Sequence, residues 1–147
     1  MTNQRPPARR SRGDDGSAAL ELVVLAPVLL GLLGLVIAAG RTTIAQASVD
    51  AAARDAARQA SISLTPAAAQ EAGQASAQAA LRQDGLDCVP IVVVDTSQFA
   101  IPPGQPATVT ATVSCTVSLA SLALPGLPGS ARLHASFTSP LDIYRSR

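Results

Sequence analysis

Tryptophan is absent from this 147-residue chain, tyrosine occurs once and phenylalanine twice. Without large aromatic side chains a core has to be assembled from Val, Leu, Ile and Ala, each removing little area from water at about 25 cal/mol per Å². A domain built that way has a thin core and leans on a partner, a membrane or a covalent staple. Histidine occurs once, at 134, and cysteine twice, at 88 and 115. That inventory offers no redox CxxC and no second ligand pair for zinc. There is also no GxSxG elbow, Gly-rich phosphate loop or pair of carboxylates at useful spacing, so no catalysis, no cofactor and no metal are expected. Ser61, Ser114 and His134 are conceivable as nucleophile and base, but nothing in the sequence joins them. His134, between Leu133 and Ala135, reads as a solvent-facing strand residue. An excess of one charge is missing as well: the net charge is +1, and residues 41–147 hold seven Arg against seven acids. No basic face interleaved with aromatics results, so nucleic acid is not an expected partner.

What the chain does have is an apolar run, LVVLAPVLLGLLGLVIAAG, nineteen residues from Leu22 to Gly40 with no charge before Arg41. At about 1.5 Å per residue a helix of that length covers roughly the 30 Å hydrocarbon core of a bilayer. Leu, Val, Ile, Ala and Gly occupy every face of it, whereas the core helix of a soluble protein keeps a polar stripe. A transmembrane helix is therefore expected over 17–40. Arg5, Arg9, Arg10 and Arg12 precede the run and only Arg41 follows closely, which places the N-terminus in the cytoplasm and residues 41–147 outside the cytoplasmic membrane. Pro27 removes one backbone donor inside the span and is expected to kink it without breaking it. Gly31 and Gly34 read as ordinary membrane-helix residues, their GxxG spacing not being that of packed GxxxG dimers.

The rest of the chain divides by composition. Residues 1–16, rich in Arg, Pro and Gly, read as a disordered basic leader. Ser17 is a candidate helix cap, with Glu21 near the positive end of the dipole. Helix formers continue past Gly40 through AAARDAARQAS, with Asp50 and Arg54 at i, i+4 and Asp55 and Arg58 at i, i+3. One helix is thus expected from about Ala18 to about Ser61, about 65 Å long at the standard rise. Thr65-Pro66 announces a second helix ending at Asp84-Gly85, with Gly73 a mild internal weakness. Its Ala-rich surface either packs closely on the first helix or is held only weakly. From Cys88 the period becomes two: CVPIVVVD, ATVTATVSCTVSL and RLHASFTS read as strands separated by IPPGQP and LPGLPG turns. In the middle strand Val109, Ala111, Val113, Cys115 and Val117 share one face. The expected fold is α+β: a long N-terminal transmembrane helix continuing outside, a second helix, and a small antiparallel three-stranded sheet, divided as 1–16, 17–40, 41–87 and 88–147. The second helix is the expected cover of the sheet.

Cys88 and Cys115 both fall outside the membrane on this orientation and are expected to pair as a disulfide. Closing a loop of 26 intervening residues contributes on the order of 3 kcal/mol in the chain-entropy account.

The arrangement GSAALELVVLAP, from Gly16 through Glu21 to Pro27, resembles the N-terminus of type IV pilin-like proteins, most closely the TadE-like family of the tight-adherence (Flp) pilus system. Shared features are the short basic leader, a Gly before the cleavage point, a Glu at the fifth mature position, a Pro in the membrane helix and a small external domain. The resemblance implies that a prepilin peptidase cuts between Gly16 and Ser17. It implies that Glu21 recruits the α-amino group of a neighbouring subunit within the lipid, where pairing offsets the desolvation that either charge alone would suffer. Expected partners are other pilin or pseudopilin subunits, the pilus assembly machinery, the peptidase and the lipid bilayer. Leu22 stands where such proteins usually carry Tyr or Phe, and the external region of about a hundred residues is far longer than in major Flp subunits. A minor pseudopilin serving pilus assembly and surface adhesion is the expectation. Two alternatives share most of these features: a Sec-exported binding protein cut after Ala45-Gln46-Ala47, and an uncut bitopic anchor.

Overall fold

The computed structural model describes residues 15–122, 128–142 and 144. The expected leader up to Asp14 and the first part of the LPGLPG turn lie outside the described residues. The chain divides into two units, Met1–Val36 and Ile37–Arg147.

Helix α1 spans Asp15–Ser61. It begins before the expected Ala18, so Ser17 is a helical residue and not a cap. Pro27 is accommodated inside the helix. In the first unit the apolar side chains are open: Leu20, Val23, Leu30 and Val36 are each exposed, as is Glu21. Of the described residues, this is the one helix long and apolar enough to cross a membrane, and none of its most apolar window is buried.

In the second unit α1 changes character. Thr42 and Thr43 return their hydroxyls to the carbonyls of Ala39 and Gly40, at 2.8 and 2.7 Å. From there Ala45, Val49, Ala52, Ala53, Ala56, Ala57 and Ala60 are buried. The expected pairing of Asp50 with Arg54 is replaced by other contacts. Asp50 accepts from Gln46 Nε2 at 3.2 Å, and the Arg54 guanidinium lies 6.0 Å from the centre of the Phe137 ring.

Helix α2 spans Pro66–Gln83 and is capped by Thr65, whose side chain accepts from the Ala68 N–H at 3.2 Å. Its buried face is Ala69, Gly73, Ala77 and Leu81, one residue per turn. Close packing is the outcome, and Gly73 is the reason rather than a weakness. A Cβ built there meets Val94 Cγ2 at 2.8 Å, the Ala56 carbonyl oxygen at 3.4 Å and Ala60 Cβ at 3.8 Å. Only a glycine lets α1, α2 and the sheet meet at that point. The helix ends in a Schellman turn: the Leu86 N–H donates to Leu81 O at 3.0 Å and the Gly85 N–H to Arg82 O at 3.1 Å. Gly85 takes φ +69° there, the left-handed conformation that side chains disfavour.

Strands β1 (Ile91–Asp95), β2 (Thr108–Ser118) and β3 (Ser130–Pro140) form one antiparallel sheet in the order β1-β2-β3. Register pairs Val93 with Thr112 and Thr112 with Ser136. Val109, Ala111, Val113, Cys115 and Val117 are all buried, as the period of two requires. They join Val92, Val94, Leu133 and Ala135 in one apolar cluster with the helices. The cover is shared by both helices. Gly73 of α2 seats on Val94, while Gln46 of α1 donates to the His134 carbonyl at 2.9 Å. The opposite face carries Thr and Ser, whose hydroxyls bond across strands at Thr110–Thr138 (2.9 Å) and Thr112–Ser136 (3.2 Å). A 3₁₀ turn at Ser97–Ala100 and a short helix α3 at Leu119–Leu122, neither signalled by periodicity, fill the connections.

Candidate functional site

The residues singled out from the sequence fall into two groups on separate parts of the chain. The first is the head of α1. Gly16, Ser17, Glu21 and Pro27 all belong to this helix. Ser17 and Glu21 are four residues apart, hence one turn and about 6 Å along the axis. Glu21 is exposed, and the side chains that follow it, Leu22, Val23, Val24 and Leu25, are 52 to 71% exposed. A carboxylate at the rim of an uncovered apolar rod has two physical outcomes in lipid: it reaches for the interface, or it meets a cation brought by another molecule. Apart from the helix's own backbone and the adjacent residues, no atom of the described residues lies within 4 Å of where a Cβ on Gly31 or Gly34 would sit, which leaves room there for a second helix.

The second group is the cystine. Cys88 and Cys115 are joined, with Cα atoms 6.0 Å apart. Cys115 lies within β2, but Cys88 stands three residues before β1, outside the strand in which the sequence pattern had placed it. Pro90 explains the difference, since it has no N–H to give to the ladder and the strand starts after it. The staple therefore ties the Schellman turn at the end of α2 to the centre of the sheet. Leu86 and Cys88 pack against the core on either side of Asp87.

The imagined nucleophiles separate. Ser61 ends α1, its hydroxyl donating to the Arg58 carbonyl at 2.8 Å. Ser114 and His134 do come together, directly opposite on β2 and β3. They lie on the hydroxyl-bearing face, with Ile91 opposite Ser114 on β1 and Arg132 and Ser136 flanking His134 along β3. His134 is exposed on its strand. Asp95 at the end of β1 is held below the usual carboxylate range. The Ser97 N–H that it accepts at 2.9 Å is the main cause, followed by the Ser97 hydroxyl.

A comparison with family models supplies a relationship for this helix. Residues 16–58 match the model of TadE-like proteins. No curated protein and no solved structure matches the chain. The matched TadE-like segment runs from Gly16 through the candidate span and ends at Arg58, within the Ala-rich part of α1 that the domain buries. The match associates the chain with the Tad pilus machinery in general, as a membrane-associated component. Sequence reasoning named Gly85 at the helix stop but missed Gly73 as a structural determinant. The signal for Gly73 was its place on the spacing of the buried alanines.

Proposed function

We propose that this chain is a minor, TadE-type pseudopilin that takes part in assembling a Tad pilus and in surface adhesion. A prepilin peptidase cuts between Gly16 and Ser17, and Glu21 meets the α-amino group of a neighbouring subunit in the membrane. The N-terminus is cytoplasmic and the domain extracytoplasmic. The observation that carries the reading is the exposed Glu21 at the head of an unburied apolar helix, inside the family-matched segment. Helix geometry supports it. A subunit's own amine and own carboxylate lie one turn apart, so a neighbour displaced by about 6 Å along the helix brings its amine level with this carboxylate. Cleavage requires the first turn of α1 to open, and Gly16 lowers the cost of opening because glycine has more freedom to regain than any other residue. On this reading the chain acts by binding rather than catalysis, with no cofactor.

The chain contains no lysine, so its α-amine is its sole primary amine. Amine-specific labelling of protein from native membranes followed by peptide mapping reads the mature start directly. Ser17 is the expected first residue, whereas Ser48 indicates signal-peptide export and Met1 or Thr2 an uncut anchor. Glu21→Ala is expected to insert normally and fail to assemble. Unaltered piliation in that variant would remove the proposed role of the carboxylate.

A further inference from the structure

The two sulfurs of the cystine have unequal surroundings. Cys115 is 1% exposed, flanked on its face of β2 by buried Val113 and Val117. Cys88 is only half-buried, and it lines a cleft of about 240 Å³ with Gln78, Leu81, Arg82, Leu86 and Val89. The Schellman turn fixes the walls of this cleft. Leu81 and Leu86 are tied by that turn's long hydrogen bond, and Val89 stands 90% exposed at the rim. Thiol–disulfide exchange is a displacement at sulfur, so an incoming thiolate reacts with whichever sulfur it can approach. Here the cleft leads to Cys88, and the core closes Cys115.

We propose that this cleft receives the reactive cysteine of a thiol–disulfide oxidoreductase, with Cys88 as the sulfur that exchanges and Cys115 as the buried sulfur that resolves. During oxidation of the reduced chain, the Cys88 thiolate attacks one sulfur of the partner's disulfide. The partner's S–S bond breaks, and its other sulfur leaves as a thiolate that takes a proton from water. Cys115 then loses its proton and attacks the Cys88 sulfur, forming the Cys88–Cys115 bond and expelling the partner's second thiolate, which is protonated in turn. Two electrons and two protons pass from this chain to the partner, which ends as a dithiol. The exposed apolar wall at Val89 offers contact to the residues beside the partner's cysteine. This inference does not depend on the pilin reading.

The test uses the full oxidised chain in detergent micelles, with reduced glutathione as the first probe. After brief exposure and acid quench, a protease that cuts before Asp95 separates Cys88 from Cys115; trypsin does not, because no Arg or Lys lies between Arg82 and Arg132. Glutathione is expected on the Cys88 fragment in at least about tenfold excess, following access to the sulfur. Equal labelling, or labelling chiefly at Cys115, overturns the assignment. In single-cysteine variants, Cys88 in Cys115→Ser is expected to react with oxidised glutathione at least about tenfold faster than Cys115 in Cys88→Ser, the difference vanishing in denaturant. A native Cys115 that reacts as fast as Cys88 also overturns it. For docking, an oxidoreductase lacking its resolving cysteine is the probe. Val89→Asp should lower its trapped mixed disulfide while leaving the glutathione reaction unchanged, and undiminished trapping refutes the cleft as its seat.

Discussion

Substituting Gly73 by alanine tests whether the domain is held by close approach of its three layers. In an exposed helix the change stabilises by about 1 kcal/mol, because glycine has more backbone freedom to lose on folding. At this position the new Cβ stands 2.8 Å from Val94 Cγ2 and 3.4 Å from the Ala56 carbonyl oxygen. Valine is stiff at χ1 and cannot swing its methyl aside cheaply, and overpacking of that kind costs about 1–3 kcal/mol. The net expectation is destabilisation of about 1 kcal/mol. Val94→Ala alone should cost about 2 kcal/mol as a buried truncation, but it removes the atom that the added methyl would strike. In that background Gly73→Ala should change sign and stabilise by up to about 1 kcal/mol. The assay is the urea dependence of tryptic cleavage at Arg54, Arg58 and Arg82 in full-length protein in micelles, which follows the open population of the outer domain. If Gly73→Ala stabilises equally with Val94 intact and with it truncated, the close-packing account is wrong.

Reducing the cystine should lower the domain's stability by about 3–4 kcal/mol for a sequence separation of 27, measured by the same cleavage with and without reductant. Thr65→Ala removes the side-chain acceptor of the Ala68 N–H and should cost about 1 kcal/mol, with Thr65→Ser restoring most of it. Asp95, its folded pKa depressed by Ser97, contributes stability above the ordinary carboxylate pKa that is lost as pH falls through the lower folded value. Asp95→Asn should therefore flatten that part of the acid-stability profile below about pH 4, and an unchanged profile would show that the turn is not coupled to folding.

The elements were legible where period and composition were strong. A nineteen-residue uncharged run, a Thr-Pro start, an Asp-Gly stop and a strict alternation from Val109 to Val117 each have one economical conformation, and the helices and strands formed there. The head of α1 was also written in order, from Gly16 to Glu21 to Pro27, because a charge at the edge of an apolar helix conflicts with lipid whatever the rest of the chain does. Local patterns left other features undetermined. The short helix at Leu119–Leu122 and the 3₁₀ turn at Ser97–Ala100 are too brief for a period to register.

The sequence by itself thus determined the apolar rod, its acidic head, the second helix, the three strands and the two cysteines available to pair. Tertiary structure decided how a core without large side chains closes. Ala56, Ala60, Gly73 and Val94 meet because helices lined with small residues approach until backbone touches side chain, and that distance depends on three segments at once. It also decided that Cys88 lies beside a cleft while Cys115 is sealed, since exposure belongs to the packed surface and not to the residue.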